Sequence, residues 1–339
     1  MRLALYHGKG QIRLAGGERP VVQPGFVVIA VNRCGICGSD LHAYSGEWEQ
    51  RPFAGGHELS GVIVEVGSGV TGLTVGDRVC VECFWHCGEC RFCLGGRYNL
   101  CRHVTYLGSK THGGFAEDLL AKATSVFKLP DQLDFAQGAL VEPLAVAYRA
   151  WSRAQATQDD RLLIVGAGTI GLCVLMCAKA AGWRSVTITA KYPHQAAAAR
   201  DFGADAVIMA TEQKIEEALG EPADVTIETT ASSRGIADAL SATRPSGTVV
   251  LVGGYSVPLR TSLSQIVGRE LQVRGSQCYG LTNGVRDFAS AIGLIAQGKV
   301  PVARLVTHRF PFDQIAEAFA TAADKQSGAI KVHVVVSED

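Results

Sequence analysis

The sequence predicts an α/β protein in which a β-rich domain is joined to a doubly wound parallel sheet. From about Asp160 onward, short apolar runs alternate with helix-like segments, which is typical of a parallel sheet covered on both faces. A glycine-rich turn follows the first of these runs. Before Asp160, short apolar runs are separated by glycines and prolines, which is typical of strands joined by tight turns.

The predicted elements follow from these patterns. In the β-rich part, residues 27–31 and 59–66 are apolar or alternating and predict strands. A helix at 285–297 and a strand at 330–336 end the chain. In the doubly wound part, strands are predicted at 162–165, 186–189, 206–209, 225–228 and 248–252, with helices up to 181 and at 195–202.

Three segments are therefore expected. Residues 1–147 form the β-rich domain, which includes a cysteine-rich lobe at about residues 83–105. Residues 148–283 form the doubly wound domain, and residues 284–339 return to the first domain. A chain of 339 residues is long enough for two separate cores.

Composition excludes several classes of function. Lys plus Arg and Asp plus Glu each number 32, so no net charge favours nucleic acid or an anionic membrane. Residues 162–178 carry no charge, but three glycines and charged flanks favour a buried strand and helix over a membrane span. The N-terminus has no apolar core of a signal peptide. We expect a soluble, cytoplasmic protein with no nucleic-acid or membrane partner.

The glycine-rich turn predicts dinucleotide binding. Gly166, Gly168 and Gly171 form a GxGxxG pattern directly after an apolar strand and before a helix. The first glycine permits the turn, the second lets the backbone approach a pyrophosphate, and the third allows close packing of helix on strand. The N–H groups of Thr169 and Ile170 would face the phosphates at the helix N-terminus. The alternative is a plain tight turn, which the motif alone does not exclude.

The residues after the second predicted strand bear on the choice of cofactor. An acidic residue there usually binds the ribose hydroxyls of NAD, but this sequence has Ala190 followed by Lys191. No carboxylate repels a 2′-phosphate and a cation is placed to attract one, so NADP(H) is favoured over NAD(H). Lys191 could instead point to solvent, as most lysines do. Val252 and Gly253 lie at the end of a later predicted strand and are expected to line the nicotinamide side.

A run of cysteines predicts a structural zinc site. Four thiolates this close in sequence can surround one tetrahedral Zn²⁺, and an iron–sulfur cluster is the rival interpretation. Cys80 and Cys83, just upstream, are assigned to a strand as core or semi-exposed thiols. The four predicted ligands are Cys87, Cys90, Cys93 and Cys101.

A second set of metal-binding residues is dispersed along the chain. Cys37, His57 and Glu142 are each ordinary when taken alone: a core thiol, a buried imidazole and an acid at a helix start. Catalytic zinc, however, takes three protein ligands and keeps one open position, and its ligands commonly come from distant segments.

These motifs together resemble the zinc-containing medium-chain alcohol dehydrogenases, and within them the sorbitol and polyol dehydrogenases. The resemblance covers essentially the whole chain. It implies a GroES-like catalytic domain and a Rossmann domain. Its motifs are residues 37–40 (CGSD), 56–58 (GHE), 141–144 (VEPL), 166–171 and the four-cysteine lobe.

The resemblance also implies roles for the dispersed residues. Cys37, His57 and Glu142 become ligands of a catalytic zinc, and Glu58 either coordinates the metal or holds a water on it. Glu142 stands where many alcohol dehydrogenases carry a second cysteine, which points to the polyol branch. Ser39 and His42 form a proton relay. Two departures from the family pattern are Ala190 and Tyr148, which replace a frequent acid and a frequent histidine.

The expected activity is reversible hydride transfer between a secondary alcohol and NAD(P)⁺, with one catalytic and one structural zinc per chain. The alternatives are a zinc-free quinone or enone reductase on the same fold and a non-catalytic module. The substrate, a polyol, sugar alcohol or cyclitol, stays open. Aromatic residues such as Trp48 and Phe84 lie near the motifs and either shape the pocket or pack in the core. Relatives form dimers and tetramers, so we expect a homodimer or homotetramer.

Overall fold

The computed structural model describes residues 1–255, 258–259 and 261–338, and the chain divides into two compact units. Unit 1 contains Met1–Glu142 and Phe288–Asp339, and unit 2 contains Pro143–Asp287. The predicted domain boundaries at residues 147 and 283 lie within a few residues of these divisions.

The strands in chain order are β1 Arg2–Tyr6, β2 Ile12–Gly16, β3 Phe26–Gly35, β4 Glu58–Val66, β5 Arg78–Val81, β6 Phe84–Trp85, β7 Thr105–Tyr106, β8 Asp118–Lys122, β9 Val126–Lys128, β10 Leu162–Val165, β11 Val186–Ala190, β12 Ala206–Met209, β13 Ala223–Glu228, β14 Thr243–Leu251, β15 Gln272–Gly275, β16 Leu281–Thr282, β17 Val285–Arg286, β18 Val306–Pro311 and β19 Lys331–Val335.

The α-helices are α1 Gly38–Tyr44, α2 Arg91–Leu94, α3 Phe135–Ala139, α4 Val141–Arg153, α5 Thr169–Ala180, α6 Pro193–Asp201, α7 Ile215–Leu219, α8 Ser233–Ala242, α9 Leu263–Gly268, α10 Asp287–Ala296 and α11 Ile315–Ala323. Short 3₁₀ turns lie at Tyr98–Leu100, Ala123–Ser125, Val302–Leu305 and Phe312–Gln314.

Unit 1 is organised around the long strand β3. It pairs antiparallel with β4 along most of its length, with β8 along its first half and with β19 along its last residues. The register places Gly35 opposite Glu58 on one side and opposite His333 on the other. The end of β3 and the start of β4 therefore lie side by side, and the segments with Cys37 and His57 adjoin them.

The core of unit 1 lies between this sheet and helix α11. Ile29 and Ile63 on neighbouring strands are fully buried, as is Phe319 of α11. Burying a side chain of this size contributes about 1.5–3 kcal/mol, so the core holds the strand ends rigidly. Phe319 also makes aromatic contacts with Tyr6 and with Tyr44, which ends the helix that follows Cys37.

Unit 2 contains a six-stranded parallel sheet in the order β12-β11-β10-β13-β14-β15. This order reverses direction between β10 and β13, and ligands in doubly wound sheets bind at such a switch point, outside the carboxyl ends of the strands. The registers align Val165 with Thr189 and Glu228, and Glu228 with Leu251. Cofactor-binding residues predicted after these strands therefore share one edge of the sheet.

Two expectations from the sequence are settled here. Helix α5 is buried through most of its length, and no helix in the described ranges is long and apolar enough to span a membrane. The helix predicted at 285–297 begins at Asp287 instead. Val285 and Arg286 pair with β16, because Asn283 and Gly284 both adopt positive φ and form the tight turn of a hairpin.

Candidate active site and metal centres

The four cysteines of the lobe are brought together in space. The Sγ–Sγ distances are 3.5 Å for Cys87–Cys101 and Cys90–Cys93, and 3.9 Å for Cys87–Cys93 and Cys90–Cys101. A tetrahedral zinc with Zn–S bonds of about 2.3 Å requires S–S separations of about 3.8 Å. The four sulfurs therefore already form a tetrahedron of the size that one zinc ion requires.

Backbone N–H groups point at these sulfurs. Cys90 N donates to Cys87 Sγ at 3.4 Å, and His103 N donates to Cys101 Sγ at 3.3 Å. Backbone hydrogen bonds from Cys93 and Arg102 lower the pKa of Cys90 to about 6, whereas burial raises the pKa of Cys93 to about 12. Cysteine binds a metal as the thiolate, and the backbone N–H groups aimed at these sulfurs stabilise thiolates, so the arrangement fits a metal centre better than a cluster of neutral thiols.

The dispersed ligands also converge. One ligand atom each from Cys37, His57 and Glu58 lies within 4.8 Å of the other two. Cys37 is the N-cap of α1, and Glu58 opens β4 opposite the end of β3. The strand pairing of β3 with β4 thus joins two motifs that are about twenty residues apart in sequence.

Asp40 orders the segments that carry two of these ligands. One carboxylate oxygen of Asp40 accepts from Cys37 N at 2.9 Å, and the other accepts from Gly56 N at 3.2 Å. The latter oxygen lies 4.0 Å from His57 Nδ1. Burial alone would lower the pKa of His57, but Cys37 and Asp40 outweigh it and raise this pKa well above its usual value. The site therefore favours positive charge, as a site for a divalent cation must.

Glu142 lies near Cys37, His57 and Glu58, but its carboxylate is not within 4.8 Å of all three of their ligand atoms. It occupies the first turn of α4 and is buried. Burial raises the pKa of Glu142 to about 7, and neighbouring Glu58 adds to that effect while His57 opposes it. The Cys83 thiol donates a hydrogen bond to Glu142, so Cys83 is a partner of a candidate ligand as well as a buried thiol.

Glu58 has a partner that the sequence did not reveal. Lys331 Nζ lies 2.7 Å from Glu58 Oε1 and 2.6 Å from Oε2, and it also donates to Ile36 O at 2.9 Å. Lys331 belongs to β19, which is distant in sequence but adjacent to β3 in the sheet. A Cβ atom at Gly35 would lie 2.3 Å from Glu58 Oε2, so only glycine leaves room for this carboxylate.

The two predicted relay residues lie on α1. Ser39 stands two residues after Cys37 and is half-buried, and His42 stands one helical turn further on. The imidazole of His42 contacts Glu47 and Trp48, which follow the helix. Of the aromatic residues near the motifs, Phe84 is fully buried in the core, whereas Trp48 is exposed beside His42.

The glycine turn in unit 2 has the geometry of a phosphate loop. Gly166 has φ = 106°, and a Cβ atom at Gly171 would lie 1.8 Å from Gly166 O. A Cβ atom at Gly168 would meet nothing within 4 Å, so open space lies beside the second glycine. Gly168 is the N-cap of α5 and provides no side-chain cap, and the first turn of the helix includes Thr169 and Ile170. Space and a helix N-terminus together suit a pyrophosphate.

The end of β11 carries a cation and no carboxylate. Ala190 is the last residue of the strand and is buried, whereas Lys191 is exposed. The Lys191 ammonium lies 5.4 Å from the centre of the Tyr192 ring, which stacks on His194 at 5.7 Å. Pro193 begins α6 immediately afterwards, so this exposed lysine lies beside a second helix N-terminus.

The loop after β14 is tied to β13. Val252 N donates to Glu228 O at 3.0 Å, and a Cβ atom at Gly253 would lie 2.5 Å from Ala231 Cβ. The fully buried Glu228 carboxylate accepts from Thr230 Oγ1 and from the Tyr255 hydroxyl, both at 2.5 Å. Burial and this carboxylate raise the pKa of Tyr255.

Comparison with known proteins then identifies the family. Residues 23–131 match the alcohol dehydrogenase GroES-like domain, and residues 169–297 match the zinc-binding dehydrogenase domain. A sorbitol dehydrogenase of Bombyx mori is 33% identical, with 98% of each chain covered. The chain belongs to the zinc-dependent medium-chain dehydrogenases. An L-idonate 5-dehydrogenase of Vitis vinifera is 34% identical, with 92% of this chain and 88% of the relative covered.

Solved structures of similar proteins agree with this family assignment. Galactitol-1-phosphate dehydrogenase from Escherichia coli has a TM-score of 0.92 at 30% identity, with 99% and 100% of the two chains covered. An alcohol dehydrogenase from E. coli in complex with NADH has a TM-score of 0.92 at 29% identity, with 99% of each chain covered. A zinc-binding dehydrogenase from Sinorhizobium meliloti bound to NADP has a TM-score of 0.90 at 28% identity, with 99% of each chain covered. The predicted GroES-like and Rossmann fold is confirmed.

Several residues of the dehydrogenase site could not be singled out from the sequence. Lys331 and Glu228 lie in ordinary strand patterns, and their partners are distant or in irregular loops. The sequence does contain a pattern that could have indicated the role of Asp40, because a carboxylate three residues after an N-cap position is typical of a capping box. Glu47 stands in a polar loop with no motif.

Proposed function

We propose that this dehydrogenase catalyses reversible oxidation of a secondary alcohol of the polyol, sugar-alcohol or cyclitol class, with hydride transfer to NAD(P)⁺. The observation that carries the proposal is the convergence of Cys37, His57 and Glu58 within 4.8 Å beside the buried Glu142. These N, O and S donors are the ones that zinc prefers. Relatives named for sorbitol and L-idonate support the substrate class.

Cys37, His57 and Glu142 would hold the catalytic zinc. Both oxygens of Glu58 accept from Lys331, so we assign Glu58 to balancing charge beside the metal rather than to the first three ligands. When bound, zinc supplies a Lewis acid that lowers the pKa of the substrate hydroxyl, and the nicotinamide accepts the hydride. The cysteines of the lobe would hold a second, structural zinc, which makes two ions per chain.

Ser39 and His42 would carry the proton away. Ser39 lies two residues from Cys37, which suits its hydroxyl to accept a hydrogen bond from the alcohol. His42 lies one turn further along α1, with its side chain 34% exposed, and can therefore pass a proton to water. The chain thus supplies an outlet for the proton that oxidation releases.

We favour NADP(H) over NAD(H). Ala190 ends β11 without a carboxylate, and Lys191 stands in the open beside the N-terminus of α6. Both features favour the additional negative charge of a 2′-phosphate. Solved relatives hold NADH in one case and NADP in another, so relatives alone do not decide between the two cofactors.

We also propose that the protein is a homodimer or homotetramer in the cytoplasm. All eleven cysteines are free, which suits a reducing compartment. Light scattering of the purified, zinc-loaded protein measures the oligomeric state directly. A mass of one chain at working concentration would contradict the homo-oligomer.

The decisive experiment tests turnover together with zinc content. A panel of polyols, cyclitols and small secondary alcohols is assayed with NAD⁺ and with NADP⁺, and zinc per chain is measured by atomic emission. We expect Cys37→Ser and His57→Ala to abolish turnover and to leave about one zinc per chain. His7→Ala, which changes an exposed histidine, serves as the control. Full activity in either site variant would contradict the assigned zinc site, and no oxidation of any alcohol by the zinc-loaded wild type would contradict the activity.

A further inference from the structure

The imidazole of His42 is held on two sides by the loop that follows α1. Glu47 Oε2 lies 2.6 Å from His42 Nδ1. The Trp48 ring stacks on the imidazole, with ring centres 5.1 Å apart and planes inclined by 22°. The carboxylate sets the direction of one ring nitrogen, and the stacked indole sets the plane of the ring.

The backbone of the loop supports this arrangement. Gly46 has φ = 76° and turns the chain back toward the helix. His42 O then accepts from Glu47 N at 2.9 Å and from Trp48 N at 3.1 Å. Further along the loop, the Gln50 side chain donates to Ala43 O at 2.9 Å and to Gly8 O at 3.0 Å. The loop is therefore fastened to the helix at several points.

A carboxylate in this position determines which nitrogen of a neutral imidazole carries the proton. An ionised carboxylate can only accept a hydrogen bond, so the short contact with Glu47 Oε2 requires Nδ1–H of His42 as the donor. The lone pair then resides on Nε2, the nitrogen on the other side of the ring. The same carboxylate stabilises the imidazolium that forms when Nε2 takes up a proton.

We propose that Glu47 is a positioning residue of the proton relay. It holds His42 as the Nδ1–H tautomer, so that Nε2 receives the proton released from the substrate. Hydride leaves the carbon with the electron pair of the C–H bond and reduces the nicotinamide. The O–H proton passes through Ser39 to His42 Nε2 as a new N–H bond, and the imidazolium then loses one proton to water. This inference rests on the proposed function.

The size of the effect follows from the exposure of the pair. The Glu47 side chain is 53% exposed, and exposed ion pairs are weakened by solvent. We expect Glu47→Gln to lower kcat for alcohol oxidation about two- to tenfold. KM for the cofactor and zinc content should be unchanged. Glu47→Asp should restore part of kcat, and Glu49→Gln, an exposed acid in the same loop, should have no effect.

The relation to His42 is tested by combining variants. If Glu47 acts through His42, then Glu47→Gln should cause no further loss in a His42→Ala background. The inference would be overturned if Glu47→Gln lowered kcat equally in both backgrounds, or if it did not lower kcat in the wild-type background. If His42→Ala alone left kcat unchanged, the relay itself would be contradicted.

A spectroscopic readout separates this inference from the proposed activity. Long-range ¹H–¹⁵N correlation spectra of histidine-labelled protein report the tautomer of His42 without any substrate. We expect the Nδ1–H form in wild type and in Glu49→Gln, and a mixture of tautomers in Glu47→Gln. The Nε2–H form in wild type would overturn the positioning role, even in an active enzyme. A protein with the expected tautomer that oxidises no alcohol would contradict the proposed function and leave the Glu47–His42 pair established.

Discussion

The Nζ atom of Lys331 lies 2.6 Å and 2.7 Å from the two carboxylate oxygens of Glu58, and both side chains are almost fully buried. The coulombic and hydrogen-bond contributions of Glu58 outweigh the effect of burial and raise the pKa of Lys331. A buried pair of this kind has a large desolvation cost, so it is weak evidence for stability. Its position beside Cys37 and His57 supports the proposal that it balances charge at the candidate metal site.

Removal of one partner from this pair should be strongly destabilising. Lys331→Met leaves the Glu58 carboxylate buried and uncompensated, and we expect a loss of about 3–5 kcal/mol in the free energy of unfolding. The double variant Glu58→Gln with Lys331→Met should recover much of that loss. Denaturant unfolding of the zinc-loaded protein measures both, with the exposed Lys325→Met as control. Equal stability of Lys331→Met and the control would contradict a charged Glu58–Lys331 pair in the wild-type protein.

The raised pKa of Glu142 predicts a pH dependence in the metal-free protein. Its pKa rises from 4.5 in the unfolded chain to about 7 in the fold, so the native state binds this proton more tightly. The free energy of unfolding should therefore fall as pH rises from about 4.5 to 7, and then level off. Glu142→Gln should remove this part of the dependence. Unfolding in the presence of a chelator at several pH values measures it, and identical profiles for the two proteins would contradict it.

The same proton should compete with zinc. Below about pH 7 Glu142 is increasingly protonated, so the affinity of the catalytic site for zinc should decrease as the pH falls. Zinc retained after dialysis at pH 6 and at pH 8 provides a direct comparison.

The cysteine lobe should support structure more than chemistry. Cys93→Ser removes one corner of the sulfur tetrahedron, and we expect zinc content to fall by about one ion per chain. The melting temperature should fall by several degrees, because the lobe has little apolar core of its own. Cys80→Ser, a buried cysteine outside the tetrahedron, should leave zinc content unchanged. Loss of both ions from Cys93→Ser would show that the two centres are not independent.

The end of β11 should control cofactor choice. Ala190→Asp places a carboxylate where it repels a 2′-phosphate and can bind ribose hydroxyls. We expect the ratio of kcat/KM for NADP⁺ to that for NAD⁺ to fall about ten- to a hundredfold, which corresponds to ~1.4–2.8 kcal/mol. Lys191→Ala should lower the same ratio by a smaller factor. An unchanged ratio in Ala190→Asp would remove this residue from the cofactor argument.

Much of unit 2 was predictable from the sequence. Strands β10 and β12 agree with the predicted ranges, because both are continuous apolar runs, and β10 is also buried on both faces. A helix start was expected at Glu142, but neither the full range of α4 nor strand β18 was predicted. Strand β14 begins earlier than predicted, since its first residues are polar and partly exposed and lack an apolar pattern. The motifs placed the glycine turn and the cysteine lobe, and they named Cys37 and His57 as candidate ligands.

The sequence by itself determined the features whose residues are close together in the chain: the glycine turn and the four-cysteine lobe. Their chemistry depends on local spacing, and local spacing is visible in a sequence. The tertiary structure alone decided which distant residues meet. Antiparallel pairing of β3 with β4 and β19 brings Lys331 onto Glu58, and the return of a loop brings Glu47 onto His42. Such contacts depend on strand register and turn geometry, which a single sequence does not specify.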